Sequence, residues 1–92
     1  MNPKQKRAYN KAGKALAELG AATVDDQDAY NAALAMIARA MGSMIGAASG
    51  LHGLSGEDLH AATMRAAGYV QRHAAEAYAI YLAHERAGQP TQ

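Results

Sequence analysis

The sequence contains no cysteine, tryptophan or phenylalanine, and only two prolines. Without cysteine, neither a disulfide framework nor a thiolate metal site can hold the chain together. With tyrosine as its one aromatic residue, any core must be assembled from Leu, Ile, Val and five Met. Charge is scarce as well. Nine bases against eight acids leave a formal net charge of +1, so there is no global electrostatic drive toward nucleic acid or an anionic membrane. At 92 residues a single domain is expected, and a monomer of that size buries only about 60–65% of its unfolded surface. Oligomerisation is the common remaining remedy.

Alanine is what the chain has in quantity, at roughly a quarter of all residues, and each alanine buries little area at about 25 cal/mol per Å². Small side chains do allow close backbone approach, which favours tight helix packing, between copies as well as within one. The composition fits a GC-rich bacterial or phage gene. The basic start runs into further charged residues and not into an apolar run, so no secretory leader is expected. The least polar stretch, Ala40 to Leu51, reads as too short to span a bilayer. A cytoplasmic protein without a membrane partner is the expectation.

Three helices with legible ends follow. Asn2-Pro3 opens the first: Asn caps the free N–H groups, and Pro at the first position has no N–H to leave unpaired. Ala8, Tyr9, Ala12, Ala15, Leu16 and Leu19 then share one face, and Gly20 marks a stop near residue 19. Asp25 or Thr23 can cap a second helix over about 25–49, whose seam Tyr30, Leu34, Ile37, Met41, Met44 and Ala48 has the 3.5-residue period of a left-handed supercoil. Gly50-Leu51-His52-Gly53 reads as the connection. Ser55-x-x-Asp58 approximates a capping box opening a third helix over 56–87, with Leu54 and Leu59 at the staple positions. Its seam runs Leu59, Thr63, Ala66, Val70, His73, Ala77, Ile80, His84, and Gly88 and Pro90 close it.

The expected fold is therefore all-α: a short N-terminal helix and a long antiparallel αα-hairpin, packed as a helical-bundle homo-oligomer. Residues 1–20 form a basic amphipathic helix, 21–88 the hairpin, and 89–92 a tail. Val70, His73, Ala77, Ile80 and His84 are the candidate seam between copies. Histidines there would be packing residues, and protonation in the range where histidine ordinarily titrates would loosen the assembly.

The signatures of catalysis are missing. Ser43, Ser49 and Ser55 lack a nucleophile-elbow context, and no phosphate loop or dinucleotide fingerprint occurs. His73 and His84 lie three helical turns apart, about 16 Å, too far to share an ion, and Glu76 and Glu85 are placed off their seam. A protein without enzymatic activity, cofactor or metal is expected.

Two functions have a basis in the residues. One is binding of a protein partner, as a regulator, inhibitor or adaptor of bacterial or phage type. The strip Ala38, Gly42, Gly46, continued by Gly50, is smooth enough for another helix to approach, and Asp25, Asp26 and Asp28 form an acidic patch before it. The alternative is nucleic-acid binding through Lys4, Arg7, Lys11 and Lys14 on one face of helix one. A helix-turn-helix echo at Ser49, Gly53, Leu54, Ser55 and Leu59 would support it, but Glu57 and Asp58 would then face phosphates. A lesser possibility is a small anion held between copies at helix N-termini, which the same two acids oppose.

Overall fold

The structure, a computed structural model, describes residues 1–88. Among them it is entirely helical, with three helices and no strand: α1 (Pro3–Thr23), α2 (Gln27–Leu51) and α3 (Gly56–Ala87). Pro90 and the 89–92 tail lie outside the described residues. The chain divides into two compact units, Met1–Ser43 and Met44–Gln92, so that α2 contributes to both.

Each helix start has a local chemical cause. At α1 the Asn2 side chain accepts from the Gln5 amide at 2.8 Å, and Gln5 Oε1 accepts from the Asn2 amide at 2.9 Å. The reciprocal half of this box, Asn-x-x-Gln, is present in the sequence and extends the simple cap expected there. At α3 the Ser55 hydroxyl accepts from the Asp58 amide at 3.2 Å, while Asp58 Oδ2 accepts from the Ser55 amide at 3.3 Å and from its hydroxyl at 3.0 Å. Asp therefore completes the box that Glu usually completes. Ser55→Ala should lower the stability of the chain by about 1 kcal/mol, read as a shift of the urea midpoint at unchanged slope.

Two boundaries differ from the sequence reading. Helix α1 runs through Gly20 to Thr23. Glycine stops a helix when it turns left-handed, but Gly53 is the one described glycine with positive φ, so Gly20 stays helical. The last turn is closed by Thr23, whose hydroxyl donates to the Leu19 carbonyl at 2.8 Å. The cap of α2 is Asp26 and neither Thr23 nor Asp25: Asp26 Oδ1 accepts from the Ala29 amide at 3.1 Å. Helix α2 then continues through Gly50 to Leu51, and the turn that follows it contains Gly53 with φ 63°. The Leu54 amide donates to the Ser49 carbonyl at 2.9 Å across that turn.

In unit 1 the covered positions are Leu19 and Thr23 on α1 and Ala29, Ala33, Ile37 and Met41 on α2. Unit 2 covers Ile45 and Ser49 at the end of α2, and Ala62, Ala66 and Leu82 on α3. The α2 row thus advances in steps of four, with small residues at its two ends and Ile37, Met41 and Ile45 between them, Ala33 and Ser49 being its buried members. Of the expected α2 seam, Ile37 and Met41 are half-covered, while Met44 is 74% exposed. The four-residue ridge of an α-helix is inclined to its axis. Alanine and serine on that ridge allow a neighbour to come close where the bulkier Tyr30, Leu34 and Met44 would hold it off.

Candidate interaction surfaces

Hardly any apolar core exists within one chain. Ala33 is the one buried hydrophobic residue among those described. Large apolar side chains stand open on every helix: Tyr9 and Leu16 on α1, Leu34 and Met36 on α2, and Met64, Tyr69, Val70, Tyr78, Ile80 and Tyr81 on α3. Monomeric proteins seldom leave contiguous apolar surface of this kind uncovered.

On α3 all five candidate seam residues are exposed, with Val70 54% and Ile80 60% accessible. The seam is also less apolar than its spacing implied. Glu76, placed off the seam by the sequence reading, reaches back one turn, and its Oε2 lies 3.3 Å from His73 Nδ1. The i,i+3 spacing that carries a helix side chain toward its own N-terminal turn makes this contact. His73 and Glu76 are 73% and 58% exposed, and such a pair contributes at most a few tenths of a kcal/mol in water. Arg72 sits 5.5 Å from the centre of the Tyr69 ring, so one edge of the seam is a cation–π pair.

On α2, Ala38, Gly42 and Gly46 are exposed, and Gly50 continues their line. Each of these glycines directly follows a covered residue, Met41, Ile45 or Ser49, so the strip is the row beside the packed one. A Cβ built at Gly42, Gly46 or Gly50 meets nothing within 4 Å. Nothing in the chain itself requires glycine there. Asp25, Asp26 and Asp28 are exposed just upstream, but Asp26 is committed to the cap, which leaves Asp25 and Asp28 as free charges.

Lys4, Arg7, Lys11 and Lys14 are all exposed on α1, on a row about a quarter-turn from that of Ala8, Ala12, Ala15 and Leu19. The sole acid–base side-chain contact among the described residues is His73–Glu76, so these four cations carry no acidic partner. Helix α2 also has the length and composition of a bilayer-crossing helix, with mean hydropathy 1.3 over an 18-residue window that is 6% buried. The apolar run extends upstream of Ala40, where Arg39 alone separates it from the apolar residues 32–38. The same properties occur in core helices and in signal sequences. Arg39 lies at the middle of α2, where a bilayer centre would charge roughly 2.5–3.5 kcal/mol for it.

The sequence reading missed a shallow cavity in unit 2 of ≈ 290 Å³, formed where α2 gives way to α3. Met44, Ile45, Ala48, Leu54 and Ala62 supply its apolar wall, with Ser49 and His52 at its edge. No group of three or more His, Asp or Glu among the described residues is placed to hold a metal ion. Comparison of the chain with protein-family models, with curated proteins and with solved structures finds no match.

Proposed function

We propose that this chain is a non-enzymatic helical interaction module that associates with itself through the open face of α3. It takes a protein partner on the α2 strip of Ala38, Gly42 and Gly46, with Asp25 and Asp28 at the entrance, and acts as a regulator, inhibitor or adaptor. The observation that supports this reading is the near absence of a core. A helical chain whose single buried hydrophobic residue among those described is an alanine gains most of its hydrophobic stabilisation by covering helix faces with another polypeptide. The strip supports the division of labour, because glycine costs a helix up to about 1 kcal/mol relative to alanine and these glycines relieve no clash within the chain.

Capture of the tagged chain from host lysate tests the reading, with nuclease present or absent. The wild type is compared with Gly46→Leu and with Lys11→Glu/Lys14→Glu. A discrete protein that stays bound after nuclease and with the charge variant, but is lost with Gly46→Leu, is the expected result. Ligands that disappear with nuclease and with the charge variant would overturn it, and would move the function to the basic face of α1.

A further inference from the structure

A buried hydroxyl at the end of α2 has no partner among the described residues. Ser49 is 6% exposed and lines the cavity of unit 2. The threonines set in helices turn their hydroxyls back onto the chain: Thr23 donates to the Leu19 carbonyl at 2.8 Å and Thr63 to the Leu59 carbonyl at 3.0 Å. Ser49 makes no such bond. No fully enclosed side-chain nitrogen or oxygen among the described residues lacks a partner, so the small accessible part of Ser49 includes its hydroxyl. It is reached through the cavity. A hydroxyl withdrawn from water and left unbonded is costly, and a molecule that bonds it offsets that cost.

The walls define such a molecule. Met44 and Ala48 lead to His52 in steps of four, Ile45 leads to Ser49 by the same step, and Ala62 of α3 lines the same space. Leu54 is fixed at its edge by its own amide, which donates to the Ser49 carbonyl at 2.9 Å. The volume of ≈ 290 Å³ is about twice that of a cavity that accepts benzene and falls just below the drug-sized range. A ligand of about ten non-hydrogen atoms matches it.

Charge is unwelcome there. No Lys, Arg, Asp or Glu lines the cavity, and an unpaired charge is costly to withdraw from water. An anion would also meet the negative end of α2, whose last turn carries no basic residue. His52 is exposed, so water weakens any ion pair it could offer. Water itself is poorly held. An interior water makes about three hydrogen bonds, whereas Ser49 and His52 are the only polar side chains in this wall.

We propose that the cavity binds a small neutral amphiphile, an alcohol or a phenol, whose hydroxyl bonds to Ser49. The apolar body lies against Met44, Ile45 and Ala62, and His52 stands beside the polar group at the mouth. The strip Ala38, Gly42 and Gly46 occupies another row of α2, so this site does not depend on the partner proposed above.

The probe is 4-propylphenol. It is compared with propylbenzene, which lacks the hydroxyl, and with 4-propylbenzoate, which carries a charge. Each is titrated into the ¹⁵N-labelled full chain and followed by NMR. Saturable shifts at the amides of Ile45, Ser49, Leu54 and Ala62 are expected with the phenol, and the benzoate should bind about tenfold more weakly or worse. Ser49→Ala keeps the packing and removes the hydroxyl. The affinity ratio of phenol to propylbenzene should then fall by about fivefold, the contribution of one neutral hydrogen bond. Ala62→Phe fills the cavity and should abolish binding of all three compounds. Ala48→Leu, at an exposed position, should weaken them in the same way and guards against poor folding of the first variant. An affinity ratio unchanged by Ser49→Ala would overturn the assignment. Shifts that persist in both filled variants would place the compounds elsewhere and overturn it as well. The absence of saturable shifts with any probe would overturn the site outright, and movement of the same amides on dilution of the free chain would then give the cavity to a second copy.

Discussion

The double variant Val70→Asp/Ile80→Asp should sediment as a monomer at concentrations where the wild-type chain is associated. The dissociation constant should rise by about a thousandfold or more. Each substitution enters once per copy, so a pair of copies places four carboxylates in the interface. Leaving a charged or polar group buried without a partner costs about 1–3 kcal/mol each, and 4 kcal/mol in total already exceeds a factor of about 800. The same substitutions leave the chain's internal contacts almost untouched, because both side chains are more than half exposed within it. Secondary structure by circular dichroism should persist at high protein concentration, and the thermal midpoint should lose its dependence on concentration. Val70→Ile, which keeps the apolar surface, should associate like the wild type. A doubly substituted chain that still sediments as the wild type does would remove α3 from the interface.

Replacing Gly42, Gly46 and Gly50 together with alanine should move two quantities in opposite directions. Stability of the chain itself should rise by about 2 kcal/mol, since an interior helical glycine costs roughly 0.5–1 kcal/mol relative to alanine. No added Cβ meets a neighbour within 4 Å, and none of the three glycines has positive φ. Partner affinity should fall by about a hundredfold, because methyl groups forced into a closely packed contact cost about 1–3 kcal/mol in strain. Denaturant titration reads the first quantity and titration with the captured partner the second. A more stable chain with undiminished partner affinity would mean that the partner docks elsewhere. Loss of both would mean that the strip is packed against another part of the assembly.

The contrast between these variants reflects how unevenly the sequence speaks. The start of α3 was legible to the residue, because Ser55 and Asp58 complete their hydrogen bonds within a single turn. The end of α1 was not, since Gly20 is compatible with either a stop or another turn and the Thr23 hydroxyl bonds equally locally in favour of the longer helix. The cap of α2 shows the same limit: Asp25 and Asp26 are both good N-caps, and one residue of register separates them. Val70, Ile80 and the glycine strip stand out in the sequence as apolar and small positions on regularly spaced rows, and the structure adds that they are exposed. The His73–Glu76 contact was missed because a face assignment by spacing ignores the direction in which a long side chain leans.

The sequence by itself determined the helical class, the three segments and the caps that open α1 and α3. Each of those depends on hydrogen bonds and torsions that close within about four residues. Tertiary structure alone decided which row of α2 is covered. In a helix where alanine recurs on every face, adjacent rows differ little in the apolar area they can bury, so the choice falls to how closely a neighbour can approach. Ala33 and Ser49 admit that approach and are buried, while of the larger residues of the expected seam Ile37 and Met41 are half-covered and Tyr30, Leu34 and Met44 are exposed.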